Sequence, residues 1–332
     1  VLFRSVIAVI DGRANSVRMT VSRYHANGSY DVLARFQEMV RLSAGMGKEK
    51  VLQPEAIKRT LVALEKFKLA LEAYNQDKLS VHAVATAAVR QASNQKEFLS
   101  AFKKTMGFNL RVLTGEEEAH YDYVGVVNTF PIHDALILDT GGASSEIVLV
   151  RDKKAIHAVS LPVGAVNISE RYLERDIVSA RALFQAIIGL RQLFGDIAWL
   201  HEAMNLPLIA LGGSNRTLAK ISRKKEKIQD MAIHGYHLTM SDVATIYQEI
   251  LGKNLEGRKK IPGLAKERGD IIVGGLLPLI ELLLYTESRQ VIFSQSGLRE
   301  GFLFEQITLN TGHDVVSPEP AAMTVDTEDV SQ

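Results

Sequence analysis

The sequence predicts an α/β fold in two similarly built lobes, and three observations carry that prediction. Apolar, β-branched runs alternate with amphipathic helical stretches in both halves of the chain. A strand that ends in aspartate and turns through small residues occurs twice, at Asp11 and at Asp139, 128 residues apart, which is about one domain length. The chain has 332 residues, 46% of them hydrophobic, enough to fill two cores.

In chain order, Val6 to Ile10 is a continuous apolar run ending in Asp11, followed by the turn Gly12-Arg13-Ala14-Asn15-Ser16 and a second β-rich run from Val17 to Tyr24. An amphipathic helix is predicted from about Pro54, a residue suited to the first helical turn, with Ile57, Leu61, Leu64, Phe67, Leu71 and Tyr74 on one face. Val81 to Thr86 reads as a short strand, and a polar helix is expected to about Lys104. The first plan then repeats: Ala135 to Leu138 ends in Asp139, turns through Thr140-Gly141-Gly142-Ala143-Ser144-Ser145, and passes through Glu146 into the strand Ile147 to Val150. Leu208 to Leu211 runs into Gly212-Gly213-Ser214-Asn215, and a last strand from Gln290 to Ser294 leads into Gly297-Leu298-Arg299-Glu300-Gly301. Ile271 to Tyr285 is the most apolar stretch, broken by Gly274, Gly275, Pro278 and Glu281, so it reads as a buried helix and not as a membrane span. From about Thr311 the chain turns to Ser, Pro, Ala, Thr and acidic residues and is expected to be a mobile tail.

Composition narrows the function classes. The 39 basic and 38 acidic residues nearly cancel, so binding to a polyanion requires a local patch, and nucleic acid is not an expected partner. The absence of cysteine removes disulfides, thiolate nucleophiles and cysteine metal sites. With no apolar signal region at the start, a cytoplasmic setting without membrane association is expected.

The chemistry resides in the turns. Small residues after a strand let an anion approach the main-chain N–H groups, and a carboxylate beside such a cradle can hold Mg²⁺ through waters. A single turn of this form is equally well a tight hairpin in which the aspartate bonds its own backbone; two in matching positions favour the phosphate reading. Thr114 and Glu117 have the spacing of a capping box, which gives Glu117 a structural task. Glu118 lies about 100° further round the helix. By type and position alone it reads as a solvated surface carboxylate; beside phosphate loops it is the best candidate for a base that takes a proton from water.

Five motifs together, Ala85-Thr-Ala-Ala-Val-Arg90, Thr114-Gly-Glu-Glu-Glu118-Ala, Asp139-Thr-Gly-Gly-Ala-Ser-Ser-Glu146, Leu211-Gly-Gly-Ser-Asn-Arg216 and Gly297-Leu-Arg-Glu-Gly301, resemble the ordered motifs of the exopolyphosphatase/guanosine pentaphosphatase family. The resemblance extends from about residue 6 to 305. It implies two ribonuclease-H-like domains of the actin-like ATPase superfamily with an interdomain cleft: residues 1–125, joined by a C-terminal helix around 298–310, and residues 126–297, with 311–332 as the tail. It implies Mg²⁺-dependent release of terminal phosphate from polyphosphate or guanosine pentaphosphate, and a homodimer as the assembly. It further implies Glu118 as base, with Asp139, Glu146 and Asp11 around the metal. Gly141, Gly142, Ala143, Ser144, Asn15, Ser16, Arg90, Gly212, Gly213 and Ser214 would contact phosphate. The first turn departs from the family pattern, with Arg13 where a glycine and Ala14 where a serine are usual. That departure keeps a non-catalytic sensor of guanosine tetraphosphate or polyphosphate open, and the superfamily keeps a phosphotransferase open.

The remaining candidates read as structural. The basic runs Arg223 to Lys227 and Arg258 to Lys260 are expected to be solvated faces, and His234 with His237 lacks a third zinc ligand nearby in sequence. His133-Asp134 and His313-Asp314 are isolated dipeptides, not the metal-binding pairs of a further domain seen in longer family members.

Overall fold

The computed structural model describes residues 5–75, 78–228 and 231–316, so most of the expected tail, 317–332, lies outside the described residues. The chain divides into two compact units, residues 1–128 with 298–332 and residues 129–297.

The first unit contains β1 (Ser5–Gly12), β2 (Ser16–Tyr24), β3 (Tyr30–Met39), α1 (Pro54–Leu71), β4 (Lys78–Ala85), α2 (Ala87–Arg90), α3 (Gln95–Met106), β5 (Arg111–Val112) and α4 (Gly115–Val127). Its sheet runs β3-β2-β1-β4-β5, antiparallel across the first three strands and parallel from β1 to β4 to β5. β1 is central, and Val6 to Ile10 are all at most 1% exposed, which explains why its sequence is apolar without alternation. α1 begins at Pro54 as the sequence predicts, but ends at Leu71; Glu72–Tyr74 tighten into a 3₁₀ turn.

The second unit contains β6 (Ala135–Thr140), β7 (Ser145–Arg151), β8 (Lys154–Leu161), α5 (Ala165–Tyr172), α6 (Ala180–Gly195), β9 (Leu208–Leu211), α7 (Gly213–Lys225), β10 (His237–Thr239), α8 (Met240–Leu251), α9 (Leu255–Arg258), α10 (Ile272–Tyr285) and β11 (Gln290–Phe293). Read as β8-β7-β6-β9-β11, its sheet repeats the order and strand directions of the first, with β10 added antiparallel at the edge. α10 is the buried apolar helix that the sequence predicts, with Pro278 inside it. Its buried Glu281 accepts a hydrogen bond from Arg191 Nε at 2.7 Å, so the one acidic group of that helix is paired.

The chain then returns to the first unit as α11 (Leu298–Thr311), which packs Leu298, Phe302 and Ile307 with Ile7, Val84 and Tyr121. Gly301 permits the close approach to α4, because a Cβ there would meet the Tyr121 carbonyl oxygen. Beyond α11, Val316 N–H donates to the Gly28 carbonyl at 3.0 Å.

Candidate active site

In the second unit, Asp139 lies near the end of the central strand β6 and pairs directly with Glu146 of β7. Directly opposed residues of an antiparallel pair project from the same face. Their carboxylate oxygens approach within 4.8 Å, and the residues are 1% and 2% exposed. Two buried carboxylates so close repel each other unless positive charge accompanies them. This hard-oxygen donor set suits a hard divalent cation. Ser160 Oγ donates to Glu146 at 2.8 Å, fixing one oxygen. Beside them, Gly212 has φ +96°, and a Cβ there would meet the Thr140 carbonyl and Asp139 Oδ1. Only glycine suits that position.

The turn after Asp139 is closed by a hydrogen bond from Gly141 N–H to the Ser144 carbonyl at 3.0 Å. The carbonyls of Gly141 and Gly142 accept from the first N–H groups of α5, at 2.9 Å from Ala165 and 2.8 Å from Val166, and Ala143 O accepts from Asn167 Nδ2 at 3.0 Å. Every carbonyl is thereby turned away. The N–H groups of Gly142, Ala143 and Ser144 make no hydrogen bond among the described residues. Successive main-chain N–H groups without internal acceptors form an anion-binding concavity.

The third loop opens α7. Asn215, fully buried, donates to the Leu211 carbonyl at 2.6 Å and to Thr140 Oγ1 at 3.2 Å, tying this loop to the end of β6. Ser214 is buried under Gly275 of α10, and the Arg268 guanidinium lies directly over Gly213. Arg268 is only 7% exposed and was not anticipated from sequence; one arginine in a Lys-Glu-Arg run carries no pattern that distinguishes it.

In the first unit, the turn after Asp11 repeats this construction at an offset of 128 residues: Arg13 N–H donates to the Ser16 carbonyl at 3.0 Å. The carbonyls of Gly12, Ala14 and Asn15 are taken up by Thr86, Ser43 and the pair Val40 and Arg41, while the N–H groups of Ala14 and Asn15 make no hydrogen bond among the described residues. Arg13 is absent from the positive-φ positions, so its backbone carries none of the strain a glycine-requiring turn would impose. Its side chain folds back, with Nε 3.0 Å from Asp11 Oδ2.

Glu118 lies in the first turn of α4. Thr114 and Glu117 form the predicted capping box: Glu117 N–H donates to Thr114 Oγ1 at 3.1 Å, and Thr114 N–H to Glu117 Oε2 at 2.8 Å. The Thr114 backbone bond, with help from Arg111, holds the Glu117 carboxyl below the usual carboxylate range. Glu118, in contrast, is 3% exposed and not the solvated carboxylate that type and position alone suggest. It accepts a hydrogen bond from Arg90 Nη1, which also donates to the Leu113 carbonyl at 2.7 Å. The structure therefore joins Arg90, expected as a phosphate contact, to Glu118. Asp122, 1% exposed, lies one turn further along the same helix face and was also missed. Its i, i+4 spacing from Glu118 was the available signal.

One reading outside the site changes. Arg258 is not part of a solvated face: it is 1% exposed, and its guanidinium donates to the carbonyls of Gly269, Asp176, Lys253 and Arg175 at 2.7–3.0 Å. His234 is buried and stacks on Phe130 with ring centroids 4.1 Å apart. Asp134 of the His133-Asp134 dipeptide pairs with Arg151 at 3.0 Å and accepts from Asp152 N–H at 2.9 Å.

The chain also resembles known proteins over most of its length. The chain is 30% identical over 308 residues to a guanosine-5'-triphosphate,3'-diphosphate pyrophosphatase of Pseudoalteromonas translucida, covering 92% of this chain and 60% of that protein. The chain thus spans three fifths of the length of that relative. A crystal structure of the Aquifex aeolicus member of the Ppx/GppA family is 26% identical, with a TM-score of 0.76 over 93% of this chain and 99% of that one. An exopolyphosphatase structure from Cytophaga hutchinsonii, 24% identical, shares the fold with a TM-score of 0.81 over 94% of this chain and all of that one. Among the described residues no helix is long and apolar enough to cross a membrane. Residues 20–310 match the Ppx/GppA phosphatase family, and the chain belongs to it.

Proposed function

We propose that this chain is a phosphoanhydride hydrolase that releases the terminal phosphate of inorganic polyphosphate or of guanosine pentaphosphate. The observation that carries the reading is the turn after Asp139, where three consecutive N–H groups without internal acceptors adjoin a pair of buried carboxylates. That combination suits a phosphate with an accompanying cation. The names of the Pseudoalteromonas relative and of the Cytophaga structure support the same reaction class.

In the proposed reaction, water attacks the terminal phosphorus, the bond from that phosphorus to its bridging oxygen breaks, and the shortened chain departs with the oxygen. Glu118 accepts the proton of the attacking water, worth roughly 10²–10⁴ in rate. Arg90 orients the Glu118 carboxylate through their hydrogen bond. The N–H groups of Gly142, Ala143 and Ser144 stabilise charge on the equatorial oxygens. Asp139 and Glu146 would hold Mg²⁺, which when bound supplies positive charge against the phosphate oxygens. A cytoplasmic setting and a homodimeric assembly belong to the same proposal.

A sensor reading is favoured by one observation, the ion pair of Arg13 with Asp11 in the first turn. Phosphate release from long-chain polyphosphate, and separately from guanosine pentaphosphate, with and without Mg²⁺, decides between the two. Turnover of either substrate that requires the cation is the expected result. Tight binding of both with no release would replace the hydrolase by the sensor.

A further inference from the structure

We infer that Arg13 is a tethered counter-cation of the first turn, neutralising Asp11 and Asp122 in place of a dissociable metal ion. The inference rests on the hydrolase reading in one respect, that it takes this turn as a phosphate loop. Asp11 lies near the end of β1 and is 2% exposed; Asp122 lies on α4 and is 1% exposed. Arg13 Nε is 3.0 Å from Asp11 Oδ2, and Nη2 is 3.9 Å from Asp122 Oδ1. Asp11 Oδ1 is buried and has no hydrogen-bond partner among the described residues, so the guanidinium is the group that compensates this carboxylate. Two carboxylates from different elements therefore face one cation that the chain itself supplies.

The second turn is an internal control. Its residue equivalent to Arg13 is Gly141, and each N–H closes its turn on a carbonyl three residues on, at 3.0 Å in both. Glycine there supplies no charge. Across the hairpin, the residue opposite Asp139 is Glu146, whereas the residue opposite Asp11 is Arg18. One hairpin thus concentrates negative charge that an ion can satisfy, and the other carries positive charge on its own side chains. Arginine suits the task better than lysine, since its planar fork reaches two carboxylates and is more weakly hydrated, so burial costs it less. Removing it would take the guanidinium from Asp11, whose buried Oδ1 has no hydrogen-bond partner among the described residues, and a divalent cation is the obvious replacement.

The test is equilibrium Mn²⁺ binding to the protein at pH 8, followed by electron paramagnetic resonance, for wild type, Arg13→Gln and Arg13→Lys. Arg13→Gln is expected to bind one more Mn²⁺ per chain than wild type, and Arg13→Lys, which keeps the charge, to bind the wild-type number. The extra ion should vanish when Asp11→Asn is combined with Arg13→Gln. Identical binding by wild type and Arg13→Gln overturns the inference. Should Arg13→Gln be too unstable to titrate, its melting temperature must rise more steeply with Mn²⁺ than that of wild type, and equal responses overturn the inference in the same way. Neither readout requires turnover, so an absence of phosphate release would sink the hydrolase reading without touching this one.

Discussion

Glu118→Gln separates chemistry from folding because the two effects differ in size. Glutamine keeps the shape of the side chain and an acceptor for Arg90, but loses the charge and the basicity. A hydrogen bond to a charged group contributes about 1.5–3 kcal/mol. Arg90 is a quarter exposed and keeps the Leu113 carbonyl as a second acceptor, so the loss should fall near the bottom of that range, about 1.5–2 kcal/mol. From a typical stability of about 5 kcal/mol or more, that leaves about 99% of the protein folded at 25 °C. Loss of the base should lower the rate by roughly 10²–10⁴, equal to about 3–5 kcal/mol of barrier. The assay is initial phosphate release at saturating substrate, alongside urea unfolding of the same preparation. Glu117→Ala is the contrasting variant: it breaks the capping box, should cost about 0.5–2 kcal/mol of stability, and should leave the rate within about threefold. A Glu118→Gln enzyme with near wild-type rate, or a Glu117→Ala enzyme with the larger rate loss, would refute the assignment of neighbouring glutamates to different tasks.

Gly212→Ala should destabilise the protein by about 2–5 kcal/mol in urea unfolding, since it adds strain at φ +96° to a collision with the Thr140 carbonyl and Asp139 Oδ1; a loss under about 0.5 kcal/mol would contradict that account. Burial lowers the pKa of His82 below its ordinary 6.5, so between the folded value and 6.5 the unfolded chain binds more protons and stability rises with pH. Wild type should therefore lose stability relative to His82→Phe as the pH falls through 6.5, and parallel stability profiles for the two proteins from pH 5 to 8 would exclude the effect.

The parts of the fold that were legible in the sequence are those where one local force decides. β1 and β6 are central strands covered on both faces, so their apolar runs could be read directly, and α10 announced itself by apolar length. β3 and β8 were not anticipated: they lie at or near sheet edges, are mostly half-buried or exposed, and mix charged with apolar residues. The capping box of α4 was legible because it is made within four residues. Arg258 was misread for the opposite reason, since its four acceptors are carbonyls between 5 and 83 residues away in sequence.

The same distinction governs the site. The two turns could be recognised as a pair because their residue types correspond at a fixed offset, yet what each does depends on the residue across its hairpin, and that pairing only the register reveals. Glu146 opposite Asp139 sets two buried carboxylates side by side, where the proposed cation would sit, while Arg18 opposite Asp11 and Arg13 within the turn put positive charge beside a single one. On the proposed reading, repeating the hairpin with inverted local charge would give one unit a site for a dissociable ion and the other a fixed one. The sequence shows the substitution at Arg13, but its sense, obstruction or compensation, follows only from where the guanidinium lies, 3.0 Å from a carboxylate that is 2% exposed.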